Sequence, residues 1–98
     1  MGEERLLPPP TPGSVTLREF GQRVMRWGTG NEVARAQIST LRRQELERVG
    51  LTREMAEAWR DFYRHELARN PRNPSAAGRA ELVQRAVELL SGGDADAM

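Results

Sequence analysis

The sequence predicts an all-α domain, a small helical bundle of about three longer and two short helices between disordered N- and C-terminal tails. Two observations predict it. Between Val15 and Leu90 the apolar residues recur at spacings of three and four, the period of a helix with one buried face, and not in the alternation of a strand. Helix start and stop residues also punctuate that pattern at regular intervals. The domain is expected over residues 15–90, after a proline-rich arm at 1–14 and before a flexible tail at 91–98.

The arm, MGEERLLPPPTPGS, has no periodic pattern and carries four prolines, so it reads as a polyproline-like linker. Pro9-Pro10-Thr11-Pro12 bears a faint likeness to a proline-rich ligand, but a linker is the favoured reading.

The first helix starts at Thr16. Thr16 and Glu19 have the reciprocal spacing of a capping box, and Val15 with Phe20 forms the hydrophobic staple around it. Leu17, Phe20, Gly21, Val24 and Trp27 or Gly28 would share one face, with Gly21 allowing a close neighbour and Gly28 ending the helix. In the turn Trp27 to Asn31, Thr29 and Glu32 offer a second capping box. Glu32 to Ile38 then reads as a short helix with Val33, Ala36 or Gln37, and Ile38 inward. Gln44 to Val49 reads as another, with Leu41, Leu46, Val49 and Leu51 inward and Gly50 as its C-cap. Isolated helices this short are marginal, so both need support from elsewhere.

That support is the stretch Leu51 to Arg69, which holds three of the chain's five aromatic residues and its only histidine. Thr52 caps its start and Glu54 places negative charge beside the positive end of the dipole. Met55, Trp59, Phe62, Tyr63, Glu66 and Leu67 form the inward stripe, while Glu57, Arg60, Asp61 and Arg64 fall largely away from it. Asn70-Pro71 stops the helix, because the residue before proline avoids the helical region and proline donates no backbone bond. Asn73 then caps a last helix, Pro74 to Leu90, with proline at the first position, where its missing N–H costs nothing. Its face of Ala76 or Ala77, Ala80, Val83, Val87 and Leu90, flanked by Leu82, Ala86 and Leu89, is suited to close packing on the long helix.

Composition narrows function by exclusion. A chain of 98 residues has room for one modest core. No apolar run approaches the length of a membrane span, and Met1 to Pro12 lacks the apolar core of a signal peptide. With no cysteine there is no disulfide framework and no thiolate chemistry. The expected location is cytoplasmic, with any export running through a signal-peptide-independent system. All fifteen basic residues are arginine, a bias that GC-rich codon usage explains without phosphate binding. The charge of residues 15–90, fourteen arginines against ten acids, is mildly basic and short of a nucleic-acid footprint.

The candidate chemistry is thin. Asp61 and His65 are helical neighbours at four residues, and a carboxylate orienting an imidazole is half of an acid/base device. No nucleophile is placed beside them, so a solvated pair on a charged face is the simpler explanation. One histidine and scattered acids give no metal-ligand spacing, and neither metal nor cofactor is expected. Most arginines follow an acid by three or four residues, as Glu19 and Arg23, Glu66 and Arg69, or Glu81 and Arg85 do, and read as surface pairs. Arg42, Arg43, Arg72 and Arg79 lack such an upstream acid. The order of helices from Glu45 to His65 resembles a helix-turn-helix, which gives a nucleic-acid alternative using Arg42, Arg43, Arg53 and Arg72. Against it, Glu54 and Glu57 would face the phosphates. Trp27, beside a glycine turn, is expected to be the more exposed of the two tryptophans. The turn around Trp27, Thr29 and Asn31 would meet the loop of Asn70 and Arg72 if the bundle is antiparallel.

The segments LREFGQRVMRWGTGNEVARAQI, LTREMAEAWRDFYRHELARNP and NPSAAGRAELVQRAVELL resemble a small uncharacterised bacterial helical domain, similar to segments at the ends of Rhs-type and other polymorphic toxin proteins. WGTGNE, AEAWRDFYR and NPSAAGRAEL are its specific elements, and Arg42-Arg43-Gln44-Glu45 departs from the Thr-Arg-Glu-Glu expected there. The resemblance carries no catalytic residue. It implies a secretion or toxin setting, and with it a non-catalytic protein-interaction or adaptor domain whose partner is a secretion or toxin component. Trp27, Thr29, Asn31, Asn70 and Arg72 are the expected contact residues. The alternatives are the nucleic-acid-binding domain and a small toxic effector using His65.

Overall fold

The computed structural model describes residues 7–13 and 15–91, and among these the secondary structure is entirely helical. The expected tails at 1–6 and 92–98, and Ser14, lie outside the described residues. In order, α1 spans Leu17–Glu19 and passes into a π-helical turn at Phe20–Val24. There follow α2 (Asn31–Ala36), a 3-10 turn (Ile38–Thr40), α3 (Arg43–Arg48), α4 (Arg53–Arg69) and α5 (Ala76–Ser91).

The antiparallel pair α4 and α5 is the body, with α2 and α3 laid on α5. One core of Phe20, Met25, Ala34, Leu41, Leu46, Leu51, Trp59, Leu82 and Val83 joins the π-turn, α2, α3, α4 and α5. The caps expected at Thr16, Thr52 and Asn73 are present. The Thr16 hydroxyl accepts from Glu19 N at 3.1 Å while the Glu19 carboxylate accepts from Thr16 N at 3.0 Å, and Thr52 accepts from Met55 N at 3.1 Å. Asn73 Oδ1 accepts from both Ser75 N and Ala76 N, so the cap works as expected although the helix begins at Ala76 and not at Pro74.

The first helix departs most from expectation. Instead of a regular helix ending at Gly28, the hydrogen bonds widen: Met25 N donates to Phe20 O at 2.9 Å and Trp27 N to Gly21 O at 3.2 Å. Arg26 then turns through a left-handed φ of 56°, a conformation unusual for a residue with a Cβ. The widened turn rotates Met25 into the core, and Trp27, at 6% exposure against 1% for Trp59, is the more exposed tryptophan as expected, yet buried. The Trp27 indole lies over Gly21, where an added Cβ would stand 2.6 Å from Nε1. Gly21 therefore accommodates a ring and not a second backbone.

In α2 the inward residue is Ala34, and Val33, expected inside, is 44% exposed and leans over Gly28. The cause is the close approach of α2 to α5. An added Cβ on Gly78 would meet Asn31 Cα and O at 2.6 Å, and that separation admits only small side chains between the helices. Thr29 makes no capping box. Gly30 is the N-cap, and Asn31 Oδ1 instead accepts from Gly78 N at 2.7 Å.

Arg35 closes the same interface from outside, with Nε and Nη2 donating to the two Glu81 oxygens at 2.9 and 2.8 Å. This bidentate pair takes the place of the local Glu32–Arg35 and Glu81–Arg85 pairs that spacing suggests. The hydrogen bond from Arg35 holds the Glu81 carboxyl below its ordinary 4.5. A depressed carboxylate contributes stability that is full above the unfolded-state value and is lost as pH falls through the folded one. The contribution should therefore fade from about pH 4.5 downward, and modestly, since both side chains are half-exposed. In a carboxyl titration by NMR, Arg35→Ala should return Glu81 to its ordinary value, and Glu81→Gln should flatten the acid limb of the melting profile.

Candidate functional site

All five aromatic residues gather in one cluster. Phe20 lies 5.1 Å from Trp59 and 5.6 Å edge-on from Trp27, Trp27 meets Tyr63 edge-on at 5.2 Å, and Phe62 stands between Trp59 and Tyr63 at 5.6 and 5.0 Å. Edge-to-face pairs of this kind add a little to the burial term. Three residues come from one face of α4, the π-turn supplies Phe20, and the segment after it supplies Trp27. Phe20 and Trp27, seven residues apart, both face Trp59.

The cluster is not sealed. Phe20, Trp27 and Trp59 are its floor, while Phe62 and Tyr63 are only partly buried. Two open cavities meet over it. One of about 470 Å³ runs from Trp27, Gly28 and Thr29 across Trp59, Phe62 and Tyr63. The other, of about 440 Å³, continues past Tyr63 to Glu66 and Asn73. Pro8, Phe62, Tyr63 and Arg79 belong to the walls of both.

Arg79 organises the rim. Its guanidinium carbon lies 5.0 Å from the Trp27 ring centre and 5.6 Å from that of Tyr63, while Nη2 donates to Gly28 O at 2.6 Å and Nη1 reaches Tyr63 Oη at 3.4 Å. Its Nε is buried without a hydrogen-bond partner among the described residues. Burial raises the Tyr63 hydroxyl above its ordinary 10, with Arg79 working in the opposite direction. Arg79, which spacing offers as a free anion-binding cation, is thus a stacked wall of the cleft. On the opposite wall Glu66 is buried and paired with Arg69 at 2.8 Å, the local pair that spacing predicts.

The two loops singled out in the sequence do meet: Gly30 N donates to Ser75 Oγ at 2.8 Å, and Asn31 holds Gly78. Their residues play different parts. Trp27 is floor, Thr29 is exposed rim, and Asn31 is a structural clamp. Asn70 and Arg72 are exposed on the turn after α4, where Asn70 Oδ1 accepts from Arg72 N at 3.2 Å; the cleft wall there is Asn73. Sequence reasoning missed Phe62, Tyr63 and Arg79 as site residues. Their aromatic and cationic types were visible, but the widened turn that assembles them was not.

The basic alternative set is dispersed. Arg42 Nη1 donates to the carbonyls of Ser39 and Leu41 at 3.3 Å, and Arg43 and Arg53 face Glu47 and Glu57 at 3.8 and 3.6 Å. The Asp61 carboxylate accepts from Arg60 at 3.0 Å, and His65, expected on a solvated face, is half-buried with Nε2 enclosed and without a hydrogen-bond partner among the described residues. Among the described residues no group of three or more His, Cys, Asp or Glu is placed to hold a metal ion.

The arm crosses this site. Trp59 Nε1 donates to Pro10 O at 3.1 Å, Pro12 is fully buried, and Val15 N donates to Pro12 O at 3.0 Å. Residues 7–13 of the expected loose linker therefore lie along the body.

The family model described as Domain of unknown function (DUF4951) matches residues 2–90, a span that takes in the arm as well as the helices. Among solved structures the chain is similar to one described as the NMR structure of the protein from Acinetobacter baumannii. The two are 39% identical, with a TM-score of 0.73, over 89% of this chain and 84% of that one. No curated protein matches the chain.

Proposed function

We propose, for a chain that belongs to the DUF4951 family, that it is a non-catalytic protein-interaction domain and that the aromatic cleft is its contact surface. The observation that carries this reading is that the chain spends all five of its aromatic rings on one cluster and leaves that cluster open along Tyr63 and Phe62. Tryptophan, tyrosine and arginine set around a concave site are the residue types that dominate binding energy at protein interfaces. The resemblance of WGTGNE and AEAWRDFYR to polymorphic toxin segments supports a bacterial secretion or toxin setting, with a component of that system as partner. Partnered arginines and an enclosed His65 lend no comparable support to nucleic-acid binding or to a His65 effector.

The test is pairwise calorimetry against the proteins encoded beside this chain. A partner should be found whose affinity falls at least tenfold on Thr29→Arg, at the exposed rim, and on Tyr63→Ala. The double variant Arg43→Ala, Arg53→Ala should stay within about twofold of wild type. Cleft variants that bind as tightly as wild type would move the contact surface elsewhere.

A further inference from the structure

We propose that the cleft is a polyproline-binding groove, occupied in this structure by the chain's own arm and opened to a proline-rich segment of a partner protein. The inference rests on the interaction reading above and specifies its ligand class.

The occupant is the chain's own arm. Pro8, Pro9 and Pro10 fix φ near −65° and donate no backbone hydrogen bond, so the conformation open to them is the extended polyproline helix, whose carbonyls need outside donors. Trp59 supplies one, its indole N–H donating to Pro10 O at 3.1 Å from a side chain that is 1% exposed. Pro8 lies in the walls of both cavities with Phe62 and Tyr63. Aromatic shelves for proline rings and a donor for the intervening carbonyls are the two requirements of polyproline recognition.

The arm fills the groove incompletely. Leu7 is 85% exposed, Pro8 and Pro10 are exposed, and about 470 and 440 Å³ stay open beside them. The tether is firm further along: Pro12 is fully buried, Thr11 Oγ1 donates to Val15 O, and the Gly13 backbone lies against Val49 O. Segment 7–10 can therefore leave while Pro12 stays. Held so close, it competes at an effective concentration in the millimolar range, which a partner segment must overcome.

The probe is a synthetic peptide of residues 6–13, titrated into the full-length, nitrogen-labelled chain and into the full-length Pro8→Ser, Pro9→Ser, Pro10→Ser variant. The readout is the Trp59 indole N–H resonance. The variant should bind at least tenfold more tightly than wild type, and a peptide with its prolines replaced by alanine should not bind. In the variant background Trp59→Phe, followed at the Trp27 indole N–H and the Gly28 to Asn31 amides, should weaken the peptide about tenfold, because an aromatic ring is kept and the donor lost. A helical variant that ignores the peptide, or takes the alanine peptide equally, overturns the proposal. Wild type carried to millimolar peptide repeats the test free of substitutions: saturable movement of the Trp59 signal supports it and its absence overturns it. If the wild-type signal instead moves with protein concentration alone and sedimentation shows a dimer, the groove takes the arm of a second copy and the partner assignment falls. A protein partner bound through the cleft while the peptide stays unbound removes the polyproline inference only. Cleft variants that leave partner binding intact remove the cleft as the contact surface, and the polyproline inference with it.

Discussion

Trp59→Ala should cost about 4 kcal/mol, as deletion of a fully buried indole does, and lower the melting temperature by about 20 °C for a domain of this size. Trp59 is 1% exposed and touches Phe20, Phe62, Tyr63 and Trp27. Its removal takes away the common neighbour of the π-turn and α4 and the donor that holds Pro10. With a total stability of about 5–15 kcal/mol expected for such a domain, this is a large fraction. Thermal unfolding by circular dichroism checks it. Trp59→Phe, which keeps most of the ring contacts, should lose less than half as much. Equal losses for the two would mean that the indole N–H to Pro10, and not the packing, carries the stability.

Gly78→Ala should destabilise by about 2 kcal/mol, although alanine is the better helix former by about 1 kcal/mol. The added Cβ would stand 2.6 Å from Asn31 Cα and O, and backbone cannot step aside as a flexible side chain can. α2 would have to withdraw, stretching the bonds from Gly78 N to Asn31 Oδ1 and from Gly30 N to Ser75 Oγ. Gly28 and Thr29 would move with it, so the cleft should widen and partner affinity should drop more than the stability loss alone accounts for. Denaturant unfolding beside calorimetry separates the two effects. A variant as stable as wild type would show that α2 and α5 sit further apart than described.

What could be read from the sequence, and what could not, divides along a physical line. The caps at Thr16, Thr52 and Asn73 are local, each set by one side chain and the next turn of backbone, and all three are found where their spacing puts them. The inward positions of Trp59 and Glu66 on α4 follow from periodicity in the same way. The failures come where tertiary packing overrides the local period. Met25 takes the inward place expected of Val24 because the chain after Phe20 takes a five-residue hydrogen bond, and no residue type announces that widening. Ala34 displaces Val33 from the interior because Gly78 brings α2 too near α5 for a branched side chain. Arginine partners divide in the same way: Arg69 pairs with Glu66 as its spacing predicts, but Arg35 reaches across to Glu81, and Arg43, Arg53 and Arg85 meet acids that follow them. As for the site, its loops were visible as glycine and Asn-Pro punctuation. The cleft between them depends on Phe62, Tyr63, Arg79 and a proline arm that composition alone assigns to a linker.

The central claim is that the surface built by Trp27, Thr29, Trp59, Tyr63 and Arg79 is where this domain meets its partner. Mapping amide and indole shifts of the labelled full-length chain as a partner is added tests it most directly. The expected result is a set of perturbations centred on the Trp59 and Trp27 indole N–H groups and the Gly28 to Asn31 backbone, with Arg42 to Arg53 unmoved. Shifts centred on Arg42, Arg43 and Arg53, with both indoles unchanged, would contradict it.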